Sequence, residues 1–304
     1  DQHQLGTKYS PLTQITAANA RMMAPKWVYH VPQARGLRSS PIVHDGVLYI
    51  TNTNSIYAVD ARSGRQNRQW ADTRAKSHSV NRGAAILGNR VYLTTADNFL
   101  VALDRRSGGV VFSKKFADET KGTTSTSAPL IVKDKVIVGS AGGDSGMRGY
   151  VAAFSATTGE ELWRMGGFNP TDFKMNRTIS SLLVQGDQVV VGGNRGRPYI
   201  AFRAGGRGDV TGKKEVWNNN LGADVPTPAT DGKLLYVLTD KGFFNMLELA
   251  TGKVIYEGQR VETGSYSASP LLADGKVYAI NEDGTTSVIK AGPEFAVLGV
   301  NKLD

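Results

Sequence analysis

The sequence predicts an all-β fold, a β-propeller of four-stranded antiparallel blades, and three observations carry the prediction. A block of short strand-like runs recurs six times between residues 39 and 304, and a repeat of about 40 to 50 residues with four strands is the signature of propeller blades. Within each block, apolar residues alternate in runs bounded by Gly, Asp or Asn, as half-buried strands joined by tight hairpins require. Glycine is abundant, 35 in 304 residues, and it falls between the apolar runs, where turns need positive φ.

The elements follow in chain order. Residues 1–25 form an N-terminal extension whose one helix-like stretch is Ala17 to Met23. Lys26 to Val31, KWVYHV, reads as the last strand of a blade whose other strands do not precede it; in a closed ring it would complete the blade formed by the C-terminus. The first copy, 39–70, runs SSPIVHDGVLYIT, SIYAVD, the turn RSGR and a strand ending in Trp70. The second, 81–116, and third, 126–165, repeat it as AAILGNRVYLTT and TSAPLIVKDKVIVG, each with its own third and fourth strands. Further copies occupy 179–220, 226–261 and 267–304, the last with its own candidate fourth strand in Phe295 to Val300. The six copies are read as one domain, and the spare strand at 26–31 leaves room for a full ring of seven or eight blades. Trp70, Trp163 and Trp217 lie on the last strands of their copies and are expected to plug one blade against the next.

Composition narrows the function classes. The formal net charge is +9, but the basic residues are dispersed, with local clusters at Arg62, Arg65, Arg68, then Arg74, Lys76, Arg82, then Arg195, Arg197, Arg203, Arg207. No aromatic-interleaved basic helix accompanies them, so no nucleic-acid partner is expected, whereas a protein or anionic-polymer partner fits. Cysteine is absent, which excludes disulfides and thiolate metal sites. No apolar run reaches the roughly 18 residues of a transmembrane helix. The chain opens at Asp1 without a signal-like stretch, as a processed secreted protein would. His3, His30, His44 and His78 share no metal-binding spacing, and no P-loop or GxSxG elbow is present. The RGD at Arg207 to Asp209 is read as a turn, and Asn176-Arg177-Thr178 is a lone glycosylation sequon.

Several segments in fixed order carry a family resemblance. YSPLTQITAANA at 9, KWVYHV at 26, SSPIVHDGVLYIT at 39, VNRGAAILGNRVYLTT at 80, TSAPLIVKDKVIVG at 126 and GMRGYVAAFSATTGEELWR at 146 resemble the opening half of quinoprotein alcohol dehydrogenases, over roughly residues 9–165. From about residue 220 the chain resembles the wider group of quinone-repeat propellers, which includes non-catalytic scaffolds of outer-membrane protein assembly.

The resemblance implies a cofactor site in a central funnel, with pyrroloquinoline quinone (PQQ) and calcium bound by polar side chains. Arg82 in Asn81-Arg82-Gly83 matches a quinone-contacting arginine, and Thr126 a quinone-contacting threonine. Asp144 stands where the family has a calcium-ligating Glu, one methylene shorter, and Asn194 matches a second calcium ligand. Asp224 is a looser match to the catalytic or metal-binding Asp. Departures oppose these matches. Arg38 replaces an acidic cofactor acceptor, Lys76 and Ser77 stand where adjacent cysteines cap the quinone, and residues 176–181 hold no Trp for stacking. Arg38 and Arg82 are expected to share one space, where they would repel a cation. The expectation is therefore a non-catalytic, periplasmic or extracellular binding or scaffold module without cofactor. The alternative is a PQQ- and calcium-dependent alcohol or sugar dehydrogenase with a modified site.

Overall fold

In most repeats the second and third strands carry apolar residues on both faces and are largely buried, as in RVYLT and FLVALD, while the fourth strand is mostly exposed. The computed structural model describes residues 22–32, 34, 37–72, 80–169, 177–195 and 197–302. Among them there is no α-helix, and no helix is long and apolar enough to cross a membrane. The helix-like stretch at 17–23 lies almost wholly outside the described residues, as do Lys76 and Ser77.

Two compact units are formed, residues 1–142 with 150–164, and residues 143–149 with 165–304. The first unit holds three antiparallel sheets, and in each the four strands of one repeat pair in sequence order. Sheet 1 is Ile42–His44, Val47–Asn52, Ser55–Asp60 and Gln66–Ala71. Sheet 2 is Ala85–Leu87, Arg90–Thr94, Phe99–Asp104 and Val110–Lys115. Sheet 3 is Leu130–Val132, Lys135–Gly139, Val151–Ser155 and Glu161–Met165.

The second unit holds three more sheets built the same way. Sheet 4 is Leu183–Gln185, Gln188–Asn194, Arg197–Arg203 and Glu215–Asn219. Sheet 5 is Ala229–Thr230, Leu234–Leu238, Phe243–Glu248 and Val254–Arg260. Sheet 6 is Leu271–Ala273, Lys276–Ile280, Thr285–Lys290 and Val297–Lys302. Each sheet is the four-stranded blade that the repeat predicts.

Facing sheets bury apolar residues between them. Tyr92, Leu100, Ala102 and Phe112 of sheet 2 meet Val136, Val138, Ala152 and Phe154 of sheet 3, and Tyr236, Phe244 and Met246 of sheet 5 meet Val277, Ala279 and Ile289 of sheet 6. The outer strand contributes one aromatic at a fixed register. Phe112 pairs with Ala102, Trp217 with Ala201 and Tyr256 with Met246. Phe112 covers Gly159 in the next sheet's turn, and Trp217 covers Gly252. A Cβ on either glycine would stand 2.6 Å from the ring, and both have positive φ, so only glycine fits. Trp217 also donates from Nε1 to the Leu249 carbonyl at 2.8 Å.

The expectation for Trp70 needs correcting. Trp163 and Trp217 are buried, at 2% and 7% exposure, but Trp70 is only half-buried. It pairs with Ile56, and the plug register of sheet 1, opposite Ala58, holds Arg68 instead. Lys26 to Val31 also departs from its expected strand form, since none of its residues is in a strand. Its ring nonetheless sits as an outer-strand plug would. Trp27 covers Gly64 and donates to the Ala61 carbonyl at 3.2 Å, the same relation Trp217 bears to Gly252 and Leu249, and the Tyr29 hydroxyl donates to the Gln66 side chain.

Candidate functional site

Of the residues singled out by the resemblance, Arg38, Asn81, Arg82, Thr126 and Asp224 lie in the segments that lead into the first strand of a sheet, where backbone groups from consecutive sheets meet. In the first unit, Arg38, Asn81 and Thr126 share one register position, four residues before the first paired residues Ile42, Ala85 and Leu130. A backbone chain links these entries: Ser40 N–H donates to the Arg82 carbonyl at 3.0 Å, and Arg82 N–H to the Thr126 carbonyl at 3.1 Å.

Asn81 is buried and committed to the backbone. Its amide donates to the Thr94 carbonyl and accepts from Gly83 N–H, both at 2.9 Å. Arg82 is exposed, and its guanidinium donates to the Thr126 carbonyl at 3.3 Å. Thr126 thus holds both the backbone and the side chain of Arg82, fixing the guanidinium at the entry of sheet 2. Arg38 is also exposed, and no contact between Arg38 and Arg82 is present among the described residues.

In the second unit the structure brings together a pair that local sequence pattern does not announce. Asp224, whose side chain is 12% exposed, accepts from Arg177 Nε on both carboxylate oxygens, at 3.2 and 3.0 Å, and from Arg177 NH2. Such a two-pronged guanidinium–carboxylate pair is directional as well as charged. The Asp224 loop is itself pinned, because Asp240 accepts from the backbone N–H groups of Asp224 and Val225 at 2.8 and 3.0 Å. Beneath it, the buried Tyr199 hydroxyl accepts from Ala223 N–H at 3.4 Å, and burial pushes that hydroxyl up to about 12.

Arg177 is anchored beside the other candidate ligand. Its carbonyl accepts from Arg195 N–H at 2.8 Å, and the neighbouring Thr178 hydroxyl donates to the Gly193 carbonyl at 3.1 Å. Asn194 ends the strand Gln188–Asn194 and pairs in register with Arg197, while Asp144 lies in the short 3-10 turn Gly143–Ser145. The side chains of Asp144 and Asn194 lie outside the described residues, and with them the test of a shared metal position. Among the described residues, no group of three His, Asp or Glu side chains could hold a metal ion.

Comparison with known proteins then places the chain. The family described as "Glucose/ethanol/alcohol dehydrogenase, beta-propeller domain" matches residues 1–181, and the one described as "Outer membrane protein assembly factor BamB" matches residues 148–292. The quinoprotein ethanol dehydrogenase of Pseudomonas aeruginosa is 36% identical over 267 residues, 79% of this chain and 40% of that protein. The 1-butanol dehydrogenase (quinone) of Thauera butanivorans is 34% identical over 244 residues, 74% of this chain and 36% of that protein. This chain therefore spans less than half the length of these curated relatives. Among solved structures, a europium-containing methanol dehydrogenase matches with TM-score 0.69 at 22% identity, over 94% of this chain and 67% of that one. BamB from Moraxella catarrhalis matches with TM-score 0.61 at 16% identity, over 88% of this chain and 74% of that one. At such identities the likeness is one of fold, and the fold is a β-propeller.

Proposed function

The chain belongs to the glucose/ethanol/alcohol dehydrogenase β-propeller family, and from that premise we propose that it serves as a periplasmic or extracellular binding or scaffold module, not as a turnover catalyst. The Arg177–Asp224 pair is the observation that carries this reading. An aspartate that is to take a proton from a substrate must turn an oxygen lone pair towards it. Asp224 accepts from a guanidinium on both oxygens, which holds the carboxylate turned to Arg177 and occupies most of its acceptor positions.

The same pair bears on calcium, which requires six to eight oxygen ligands, at about 2.3 to 2.6 Å. With Asp224 engaged by Arg177, calcium does not fit at that carboxylate, and no step is derived through it. A module of this kind would act through its surfaces on a protein or an anionic polymer. The dispersed positive charge, +9 in total, favours acidic partners.

A second reading, a PQQ-dependent dehydrogenase of alcohols or sugars with a modified site, is favoured by Arg82 and Thr126 together with the family match over residues 1–181. In it, Arg82 would hold a carboxylate of the quinone, and Asp224 would have to leave Arg177. The test is reconstitution of the purified protein with PQQ and calcium, followed by dye-linked assays on a panel of alcohols and sugars. No turnover is expected. Turnover that is lost in Arg82→Ala would overturn the first reading and establish the second.

A further inference from the structure

Sheets 1 and 2 turn an arginine-rich end to solvent. Because the strands of a sheet run antiparallel in sequence order, the turns between the first and second strands and between the third and fourth lie at one end. The entry segments that hold Arg38 and Arg82 lie at the other. At the turn end the two sheets carry Arg62, Arg65, Arg68, Arg90, Arg105 and Arg106 against Asp45, Asp60 and Asp104. The two sheets meet there: Arg105 NH1 reaches Asp45 at 2.8 Å, and a Cβ on Gly108 would stand 3.3 Å from Arg68 Cδ. The arginines therefore belong to one surface.

The three carboxylates of that surface are committed. Asp45 is paired with Arg105, while Oδ1 of Asp60 and of Asp104 accepts from the N–H groups and the serine hydroxyl of its own turn. Arg90 is committed as well, giving NH1 to the Ala156 and Thr157 carbonyls at 2.6 and 2.7 Å. Arg62, Arg65, Arg68 and Arg106 remain, all exposed, and no ion pair joins any of them to a described carboxylate. Like charges gathered on one surface repel one another, and an anionic partner relieves that repulsion.

Arg68 adds a second observation. It stands at the register where sheets 2, 4 and 5 present Phe112, Trp217 and Tyr256. A charge kept where the repeat otherwise places a ring breaks the local packing rule, and such departures are expected at functional sites. The rest of that outer strand indicates the partner's chemistry. Asn67 and Gln69 flank Arg68 and are exposed, whereas the outer strand of sheet 2 exposes Val110 and Val111. Guanidiniums meet carboxylates with two parallel donors, and side-chain amides both donate to and accept from hydroxyls. A chain of sugars bearing carboxylates offers both groups at every repeat, while an acidic peptide offers the charge without the hydroxyls.

We propose that this end of sheets 1 and 2 binds a carboxylated polysaccharide, with Arg62, Arg65, Arg68 and Arg106 on its carboxylates and Asn67 and Gln69 on its hydroxyls. The proposal rests on the binding-module reading above and names its partner.

Polygalacturonate is the probe, with dextran as its neutral counterpart and poly-L-glutamate as its peptide counterpart. Calorimetric titration of the whole chain at low salt should show saturable binding of polygalacturonate and none of dextran. Poly-L-glutamate should bind at least about ten-fold more weakly per carboxylate, for want of hydroxyls. Binding should weaken at least about ten-fold between about 10 and 150 mM salt, as the Debye length shrinks from about 30 to about 8 Å. The triple variant Arg62→Gln, Arg65→Gln, Arg106→Gln should bind about ten-fold more weakly, as the loss of three exposed ion pairs permits. Removing the same charge from the second unit, with Lys213→Gln, Lys214→Gln and Lys253→Gln, should change binding less than about two-fold. Should the arginine triple variant not fold, Arg68→Gln should weaken binding about three-fold. Absence of saturable binding, binding of dextran, equal binding of poly-L-glutamate, or equal losses in the two triple variants would overturn the proposal and leave the binding-module reading standing. Dye-linked turnover with PQQ and calcium would overturn that reading instead, whatever polygalacturonate does.

Discussion

The joint between sheets 2 and 3 and the joint between sheets 1 and 2 use the same strand register and close it with different side chains. In the first, Phe112 covers Gly159 and the facing side chains close into one buried cluster with Tyr92, Phe154 and Phe116. In the second, Arg68 stands in the plug position, and Trp70, half-buried, packs with Ala58 against the buried cluster of Tyr49, Ile56, Val91 and Leu103. An aliphatic stem at the plug register thus leaves the outer-strand tryptophan partly in water, where the ring of the neighbouring joint is covered. The contrast can be broken at either end.

The largest effect is expected where the plug is most complete. Trp217 fills the joint between sheets 4 and 5, at 7% exposure, with its indole N–H on the Leu249 carbonyl. Trp217→Ala leaves a cavity and removes one of the two side-chain hydrogen bonds to the Leu249 carbonyl, the other coming from Gln188, and should cost about 3 to 5 kcal/mol in denaturant unfolding. A loss below about 1 kcal/mol would mean that the ring does not hold the joint. Next in size, and opposite in sign, is Arg68→Phe, which restores the common plug. Added apolar burial of this kind should stabilise by about 0.5 to 2 kcal/mol, read as a raised thermal midpoint. Trp70→Ala should be milder than Trp217→Ala, about 1 kcal/mol, because more of its surface already faces water.

The same contrast explains what the sequence does and does not reveal. The blades are legible because two buried strands per sheet must be apolar on both faces, as in RVYLT and FLVALD, and because turn glycines punctuate them. The plug position is harder to read. In sheet 2 the aromatic follows its turn glycine by four residues, Gly108 to Phe112, whereas in sheet 1 Trp70 follows Gly64 by six, and Arg68 takes the fourth place. Counting tryptophans picks Trp70, while counting from the glycine picks Arg68. Of the candidate site, Arg82 and Thr126 were visible through segments resembling a family, and they do meet. Arg177 was missed as a functional residue because its partner is 47 residues away, on another sheet's entry, and no local spacing joins them. The signal available was an arginine inside the Trp-less window 176–181.

The smallest effect separates the turns of the first unit by chemistry. In sheets 1 and 2 the turn before the outer strand is organised by a carboxylate: Asp60 Oδ1 accepts from Arg62 N–H at 3.1 Å and from Ser63 N–H and Oγ at 2.7 Å, and Asp104 repeats this with Arg106 and Ser107. In sheet 3 a neutral hydroxyl takes that place, Ser155 Oγ accepting from Thr157 and Thr158 N–H at 3.3 and 3.2 Å. The side-chain and backbone hydrogen bonds from Ser63 and Ser107 hold the two carboxyls below the ordinary aspartate value of 3.8. A group whose folded pKa is depressed stabilises the fold above its unfolded pKa and loses that contribution as pH falls through the folded value. Between neutral pH and about pH 4 the three turns should therefore behave alike. Below that, the amide NMR signals of Ser63 and Ser107 should titrate with midpoints under 3.8 while that of Thr158 stays still. Movement of all three together would mean that acid opens the unit as a whole, and movement of none would remove the carboxylates from their place in the turns.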